Sequence, residues 1–112
     1  KYSDKTFMGM TTSNKNCEDV LDMCGILFGK EFMETHPVVT GNANANSPLV
    51  WDEIMLSAIR SFALRNQPVL CSPFVLGGAN TPASTIPAVV QLNAEALSAL
   101  AYTQVVRKGA PA

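Results

Sequence analysis

Charged side chains are scarce in this 112-residue chain. They make up 15% of the residues, against about 25% in ordinary soluble proteins, and Glu95 is the only one between Arg65 and Arg107. The formal net charge is -1. This balance excludes nucleic-acid binding through bulk positive charge and a polybasic membrane-surface segment. Because so little charge covers the surface, we expect neighbours outside the chain to bury part of it.

Cysteine, histidine and long apolar runs are also in short supply. Three cysteines without a CxxC pair argue against a disulfide framework and favour a cytoplasmic location. His36 is the only histidine, and its spacing from the cysteines forms no metal-binding motif, so we expect no directly bound metal. No apolar run reaches the roughly 18 residues of a membrane span, and no signal peptide is visible. We therefore predict no membrane association.

Strand and helix patterns alternate along the chain. Strand patterns occupy residues 6–10, 38–41 and 69–72. A helix pattern begins with Asn16 as N-cap and continues to about residue 34, and a second begins with Ser47 as N-cap and Pro48 at the first helical position. A third helix pattern runs from Ser84 or Thr85 to about Arg107. It is apolar on nearly every side, so we expect it to have more than one contact surface. Its single polar stripe consists of Gln91, Glu95, Ser98 and Tyr102.

The length of the repeat indicates the architecture. Pro37-Val38 and Pro68-Val69 are 31 residues apart, close to the roughly 31 residues per βα unit of a barrel of about 250 residues. We predict an α/β fold of consecutive βα units. Residues 1–112 would form a single segment of a (β/α)₈ TIM barrel, about three units long and truncated at both ends. The alternative is a doubly wound sheet, although no GxGxxG follows any strand.

The loops that follow the strands hold the candidate binding residues, because these loops face the active site in a barrel. Loops 11–16, 42–47 and 73–85 are poor in charge and rich in amides and hydroxyls. An extended chain would place Asn42, Asn44 and Asn46 on one side, where neutral amides hold a polar ligand. Turn geometry explains these asparagines equally well. The full set of ligand-facing candidates is Asn42, Asn44, Asn46, Ser47, Ser72, Phe74, Gly77, Gly78, Asn80 and Thr81.

Recognised catalytic constellations are missing from the sequence. It shows no carboxylate pair, Ser/His/Asp set, phosphate loop or metal cluster, so no catalytic residue is assigned. Trp51, Phe74 and Tyr102 are aromatic residues that could face an alkylammonium ion, although core packing is the commoner role of each.

Several strings closely resemble the trimethylamine methyltransferase family. The most specific are NSPLVWD at residues 46–52 and GGANTPAS at 77–84, and QLNAE at 91–95 fits as well. The likeness covers essentially the whole chain. It implies a (β/α)₈ barrel several times longer than this chain. It also implies transfer of a methyl group from a methylated amine to the cobalt of a corrinoid, which a separate partner protein carries over the barrel mouth.

The resemblance leaves the substrate open between trimethylamine and a quaternary amine such as glycine betaine. Archaeal members use pyrrolysine, whose position falls later in the family's chain, whereas many bacterial relatives lack it and act on quaternary amines. The implied partners are a cognate corrinoid protein and the amine, and we expect a homo-oligomer when the protein is complete. Alternatives are another barrel enzyme of lyase or aldolase type, or a non-catalytic amine-binding scaffold. The isolated segment is expected to be inactive.

Overall fold

Strands and helices alternate in the computed structural model, which describes residues 5–10 and 12–112. Asp4, which begins the family-like string DKTFMG at residues 4–9, and Thr11, which begins the predicted loop 11–16, lie outside the described residues. The elements are β1 (Phe7–Met10), α1 (Asn14–Phe28), α2 (Lys30–Met33), β2 (Val39–Ala45), α3 (Glu53–Leu64), β3 (Val69–Pro73) and α4 (Thr85–Val106). The predicted α/β class is confirmed.

The three strands form a parallel sheet in the order β1-β2-β3. Gly41 of β2 pairs with Gly9 of β1 and Val69 of β3, and Asn44 pairs with Ser72. Helices α3 and α4 pack on the sheet, and α1 packs against α3. The helical crossovers that parallel strands require therefore form a second layer over the sheet.

The core lies between the sheet and the helices. Residues of β2 alternate in burial, with Val39, Gly41, Ala43 and Ala45 buried and the residues between them only half-buried. This alternation follows from the two-residue period of a strand. The other members of the core come from the helices, from β3 and from the residue before β2: Cys17, Leu21, Cys24, Met33, Val38, Ala58, Ile59, Phe62, Val69 and Ala99.

A fully buried amide, Gln67, joins the amino-terminal ends of β2 and β3. Its Oε1 accepts hydrogen bonds from the backbone N–H groups of Val38 (2.8 Å) and Val39 (3.3 Å), and its Nε2 donates to the Met33 carbonyl (2.7 Å). These backbone groups precede or begin β2. Gln67 thus supplies hydrogen bonds to backbone groups where the chain enters the sheet, and its own buried amide is satisfied in return.

Strand β2 is longer than predicted, and α3 begins later. Residues 42–45 are strand rather than loop, because they pair with Leu70 to Pro73 of β3 and bury Ala43 and Ala45. The prediction of Ser47 as the N-cap is wrong. Asp52 caps α3, with its side chain accepting from the Met55 N–H. The hydroxyl of Ser47 bonds instead to Glu95, far away in sequence.

The first predicted helix is divided in two. Ser13, not Asn16, is its N-cap and accepts from the Asn16 N–H. The helix stops at Gly29, whose φ of 92° lies in the region that favours glycine. A single further turn, α2, follows.

Helix α4 packs with its polar stripe toward the domain and its apolar sides outward. Glu95, Ala99 and Thr103 are buried, whereas Ile86 is 79% exposed and Val105 83% exposed. The expected second contact surface is therefore not supplied by the described residues. No helix among those residues is both long enough and apolar enough to cross a membrane.

We predict that Gly41→Ala destabilises the protein. A Cβ at this position would lie 2.9 Å from two ring carbons of the buried Phe62, so the free energy of unfolding should fall by about 1–3 kcal/mol. Gly9→Ala is the matched control, since its Cβ would meet only a Val39 methyl group at 3.9 Å. Denaturant unfolding of both variants in the full-length protein checks this. Equal stability of the two variants would contradict the packing.

Candidate functional site

The strands present polar side chains on the side away from the helices. We call this surface the open sheet face and define it by Thr40, Asn42 and Asn44 of β2 with Leu70 and Ser72 of β3. Asn42 is in register with Leu70, and Asn44 with Ser72, so each pair points to the same side of the sheet. Asn44 and Ser72 lie next to the carboxyl ends of their strands. The structure thus brings together three of the predicted site residues, Asn42, Asn44 and Ser72.

The side-chain carbonyl of Asn42, on the open sheet face, is unsatisfied within the described part of the chain. Its Oδ1 atom is buried and has no hydrogen-bond partner among the described residues. An unsatisfied buried acceptor costs about 1–3 kcal/mol, and such groups in native proteins call for an explanation. A ligand whose positively polarised group contacts Asn42 Oδ1 would be such an explanation.

The segment after β2, residues 46–52, closes on itself through hydrogen bonds. The Asn46 N–H donates to the Val50 carbonyl (2.8 Å), and Asn46 Nδ2 donates to Asp52 Oδ2 (2.7 Å). Asp52 uses its other oxygen to cap α3. The side chain of Asn46 therefore holds its own loop, and it does not join Asn42 and Asn44 on the open sheet face. We call residues 46–52 the second-strand loop.

A buried carboxylate, Glu95 of α4, holds the second-strand loop in place. It is 2% exposed and accepts from Ser47 Oγ (2.5 Å), the Leu49 N–H (2.8 Å) and Gln91 Nε2 (2.9 Å). Burial alone acts to raise the pKa of Glu95, but these three hydrogen bonds outweigh it, so the pKa lies below the ordinary 4.5. Glu95 is therefore ionised at neutral pH.

The backbone of Leu49 is strained where it meets Glu95. Its φ of 57° lies in the left-handed region that residues with a Cβ rarely adopt. Such a conformation persists only where surrounding contacts determine it, and here the Leu49 N–H donates to the Glu95 carboxylate. The hydrogen bond to Glu95 thus holds the second-strand loop in a conformation that Leu49 would rarely adopt by itself.

The segment after β3, residues 74–81, is organised by Asn80. Asn80 Oδ1 accepts from the Leu76 N–H (2.6 Å), and Asn80 Nδ2 donates to the Phe74 carbonyl (2.7 Å). Gln91 Nε2, which also bonds Glu95, donates to the Asn80 carbonyl (3.0 Å). We call residues 74–81 the third-strand loop. Glu95 is thus bonded directly to the second-strand loop and, through Gln91, to the third-strand loop.

The remaining candidates also lie in the third-strand loop. Phe74, Gly77 and Gly78 are exposed, and Gly78 has a φ of 80°. Thr81 is buried, forms a bridge with Gly77, and has no hydrogen-bond partner for its hydroxyl among the described residues.

The sequence predicts Glu95 and Gln91 only as members of the polar stripe of α4, with no role in the site. The signal that could have revealed Glu95 is its position as the only charge between Arg65 and Arg107. A single carboxylate within an apolar helix requires buried donors, and the structure shows them.

Two of the three candidate aromatic residues belong to the core. Trp51 and Tyr102 are half-buried against it, and Trp51 Nε1 donates to the Glu95 carbonyl and Ser98 Oγ, both at 3.2 Å. Phe74 is the exception, because it is 63% exposed.

Cysteines and metal-ligating groups form no reactive centre in the described part of the chain. None of the three cysteines forms a disulfide within the described residues, and no three His, Cys, Asp or Glu side chains there are placed to hold a metal ion. Burial raises the pKa of the Cys71 thiol, although a hydrogen bond with Thr103 partly offsets this. Cys71 is therefore a neutral thiol at physiological pH.

Comparison with known proteins identifies the family. The model of the family described as trimethylamine methyltransferase matches residues 1–112. The chain belongs to the trimethylamine methyltransferase family. It is 35% identical to glycine betaine methyltransferase of Desulfitobacterium hafniense (strain Y51) over 112 residues, which cover 99% of this chain and 23% of that relative. The chain thus spans about a quarter of the relative's length.

The two strings most specific to the trimethylamine methyltransferase family coincide with the two loops. NSPLVWD is the second-strand loop, and GGANTPAS includes the end of the third-strand loop. QLNAE contains both Gln91 and Glu95, which link them. The family strings therefore form one hydrogen-bonded unit at the carboxyl ends of β2 and β3.

Glu95 should make stability depend on acid pH. Because its folded pKa is lowered, its ionised form stabilises the protein above the unfolded value of about 4.5, and this contribution is lost as pH falls below that value. We expect the difference in unfolding free energy between the natural protein and Glu95→Gln to narrow from pH 6 to pH 3. Denaturant unfolding at each pH measures it. A difference that widens in acid would mean that burial outweighs the hydrogen bonds.

Proposed function

We propose that this chain is part of an enzyme that transfers a methyl group from a quaternary or tertiary methylated amine to a corrinoid carried by a separate protein. Membership of the trimethylamine methyltransferase family supports methyl transfer, and the relative's name supports a glycine betaine-like substrate. Its three cysteines, none of which forms a disulfide within the described residues, favour a cytoplasmic enzyme.

We infer that residues 1–112 form one segment of a (β/α)₈ barrel. The parallel strands follow one another in sequence order, and their helices share a core on one side of the sheet, as in the wall of a barrel. A doubly wound sheet instead carries helices on both faces. Further barrel units or a second copy of the chain would cover the exposed apolar side chains of α4.

Binding of the amine is the task that we assign to the open sheet face. The observation that carries this assignment is the unpartnered, buried Oδ1 of Asn42, beside a face that also holds Asn44 and Ser72. Carbonyl and hydroxyl oxygens favour the positively polarised methyl groups of an ammonium ion, and amide N–H groups favour a carboxylate such as that of a betaine. These contacts would orient the amine for transfer, which is positioning work.

The described residues fit a corrinoid presented from outside the chain. The open sheet face offers neutral donors and acceptors, namely the amides of Asn42 and Asn44 and the hydroxyls of Thr40 and Ser72, which match the neutral amide groups of a corrinoid. When bound, the corrinoid supplies a cobalt nucleophile that accepts the methyl group. The chain's own residues then have to hold the amine in line and keep it oriented.

The name of the glycine betaine methyltransferase relative favours a quaternary amine. The breaking C–N bond leaves its electron pair on nitrogen, so a quaternary amine departs as a neutral tertiary amine and no proton has to move. A tertiary amine departs as a neutral secondary amine only from its protonated form, which it already has in water at neutral pH. The neutral side chains of Thr40, Asn42, Asn44 and Ser72 can face either cation without giving or taking a proton.

We predict that Asn42→Ala and Asn44→Ala in the full-length protein each raise the KM for glycine betaine about tenfold, the effect of losing one hydrogen bond of ordinary strength. Methyl transfer to free cob(I)alamin is the measurement, with trimethylamine assayed in parallel. Asn93→Ala, on the exposed side of α4, is the matched control and should leave the KM unchanged.

Unchanged kinetics in both variants would remove the open sheet face from the binding site. A full-length protein that binds glycine betaine and transfers no methyl group would support the scaffold alternative instead. Transfer from trimethylamine alone would overturn the preference for a quaternary amine.

A further inference from the structure

Glu95 is a buried ion with no role in the proposed chemistry, yet three hydrogen-bond donors from the second-strand loop and α4 converge on its carboxylate. Its donors are Ser47 and Leu49 of the second-strand loop and Gln91 of its own helix. A carboxylate only accepts hydrogen bonds, so it matches three converging donors. None of the ion pairs in the described part of the chain includes it, and its burial therefore serves hydrogen bonding.

The two loops that Glu95 links begin where the open sheet face ends. Ala45 ends β2 directly before Asn46, and Asn44 of the open sheet face precedes Ala45. Likewise Pro73 ends β3 directly before Phe74, and Ser72 precedes Pro73. The position of each loop therefore affects the side chains at the carboxyl end of its strand.

The hydrogen-bonded link between the two loops consists of two side chains, those of Glu95 and Gln91. Glu95 Oε1 accepts from Gln91 Nε2 at 2.9 Å, and the same Gln91 nitrogen donates to the Asn80 carbonyl at 3.0 Å. Asn80 then holds the backbone at Phe74 and Leu76. Movement of the second-strand loop is thus coupled to the third-strand loop through side chains of α4.

We propose that Glu95 is a positioning residue that holds the second-strand and third-strand loops in one arrangement around the amine-binding open sheet face. This rests on the proposed function for what the loops surround. The coupling of the loops follows from the hydrogen bonds alone. Glu95 acts through Ser47, Leu49 and Gln91 and does not itself touch the amine.

The geometry predicts which substitution of Glu95 is tolerated. In Glu95→Gln, an amide oxygen in place of Oε1 still accepts from the Leu49 N–H and from Gln91. An amide nitrogen in place of Oε2 donates to Ser47 Oγ, whose hydroxyl turns to accept. All three partners remain bonded. Glu95→Leu breaks every one of them, and Gln91→Ala breaks only the connection to the third-strand loop.

The test combines backbone hydrogen exchange with kinetics in the full-length protein. We expect Glu95→Leu to speed exchange in residues 46–52 and 74–81, and Gln91→Ala to speed it only in 74–81. Glu95→Leu should lower kcat/KM for methyl transfer from glycine betaine at least tenfold, mainly through KM, because misplaced binding groups weaken orientation. Glu95→Gln should show the exchange rates and the kcat/KM of the natural protein.

Two controls accompany the test. Glu31→Leu, at an exposed position of α2, should leave the exchange rates and kcat/KM unchanged. The amides of Val38 and Val39 should keep their exchange rates in every variant.

Each other result would overturn part of the proposal. Unchanged exchange in both loops for Glu95→Leu would remove the coupling. Faster exchange with unchanged KM would make Glu95 structural only, and a Glu95→Gln variant as impaired as Glu95→Leu would show that the charge is required. If Glu95→Leu does not fold, the exchange rates and KM of Gln91→Ala and Glu95→Gln test the coupling of the loops instead. A natural protein that transfers no methyl group would refute the proposed function, while the exchange data still test the coupling.

Discussion

A single buried carboxylate organises the carboxyl end of this sheet. Glu95 draws the Ser47 hydroxyl and the strained Leu49 backbone onto α4, and through Gln91 it reaches the third-strand loop. An ionised group is costly to bury without donors, so the three donors and the carboxylate depend on one another. The course of both loops and the orientation of α4 follow from this arrangement.

The orientation of α4 explains why the chain exposes so much apolar surface. Its buried stripe contains Glu95, Ala99 and Thr103, and aliphatic side chains such as Ile86 and Val105 face outward. Exposed apolar patches of this kind mark surfaces that another part of a protein covers. The same reasoning accounts for the shortage of charge in this half of the chain, and it agrees with a chain that spans 23% of its relative.

The two ends of the sheet carry different kinds of polar group. At the amino-terminal end, Gln67 has its oxygen and nitrogen both bonded to backbone, so its role is to hold β2 and β3 together. On the open sheet face, Asn42 has an oxygen with no partner among the described residues. Satisfied amides stabilise a fold, whereas an unsatisfied one is suited to a ligand. This contrast is the physical basis for placing binding on the open sheet face.

Local patterns in the sequence determined the alternation of elements, the extent of β3 and α4, and the family strings, because strand period, helix caps and turn residues act over short distances. The alternation of Asn42 and Asn44 likewise followed from sequence. Asn46 and Asn80 hold their own loops through partners only a few residues away, Asp52 for Asn46 and Phe74 and Leu76 for Asn80. Tertiary structure alone decided that residues 42–45 are strand and that Ser47 turns to Glu95 instead of capping α3. These two features depend on partners distant in sequence, β3 for residues 42–45 and Glu95 for Ser47, and no local pattern contains such a partner.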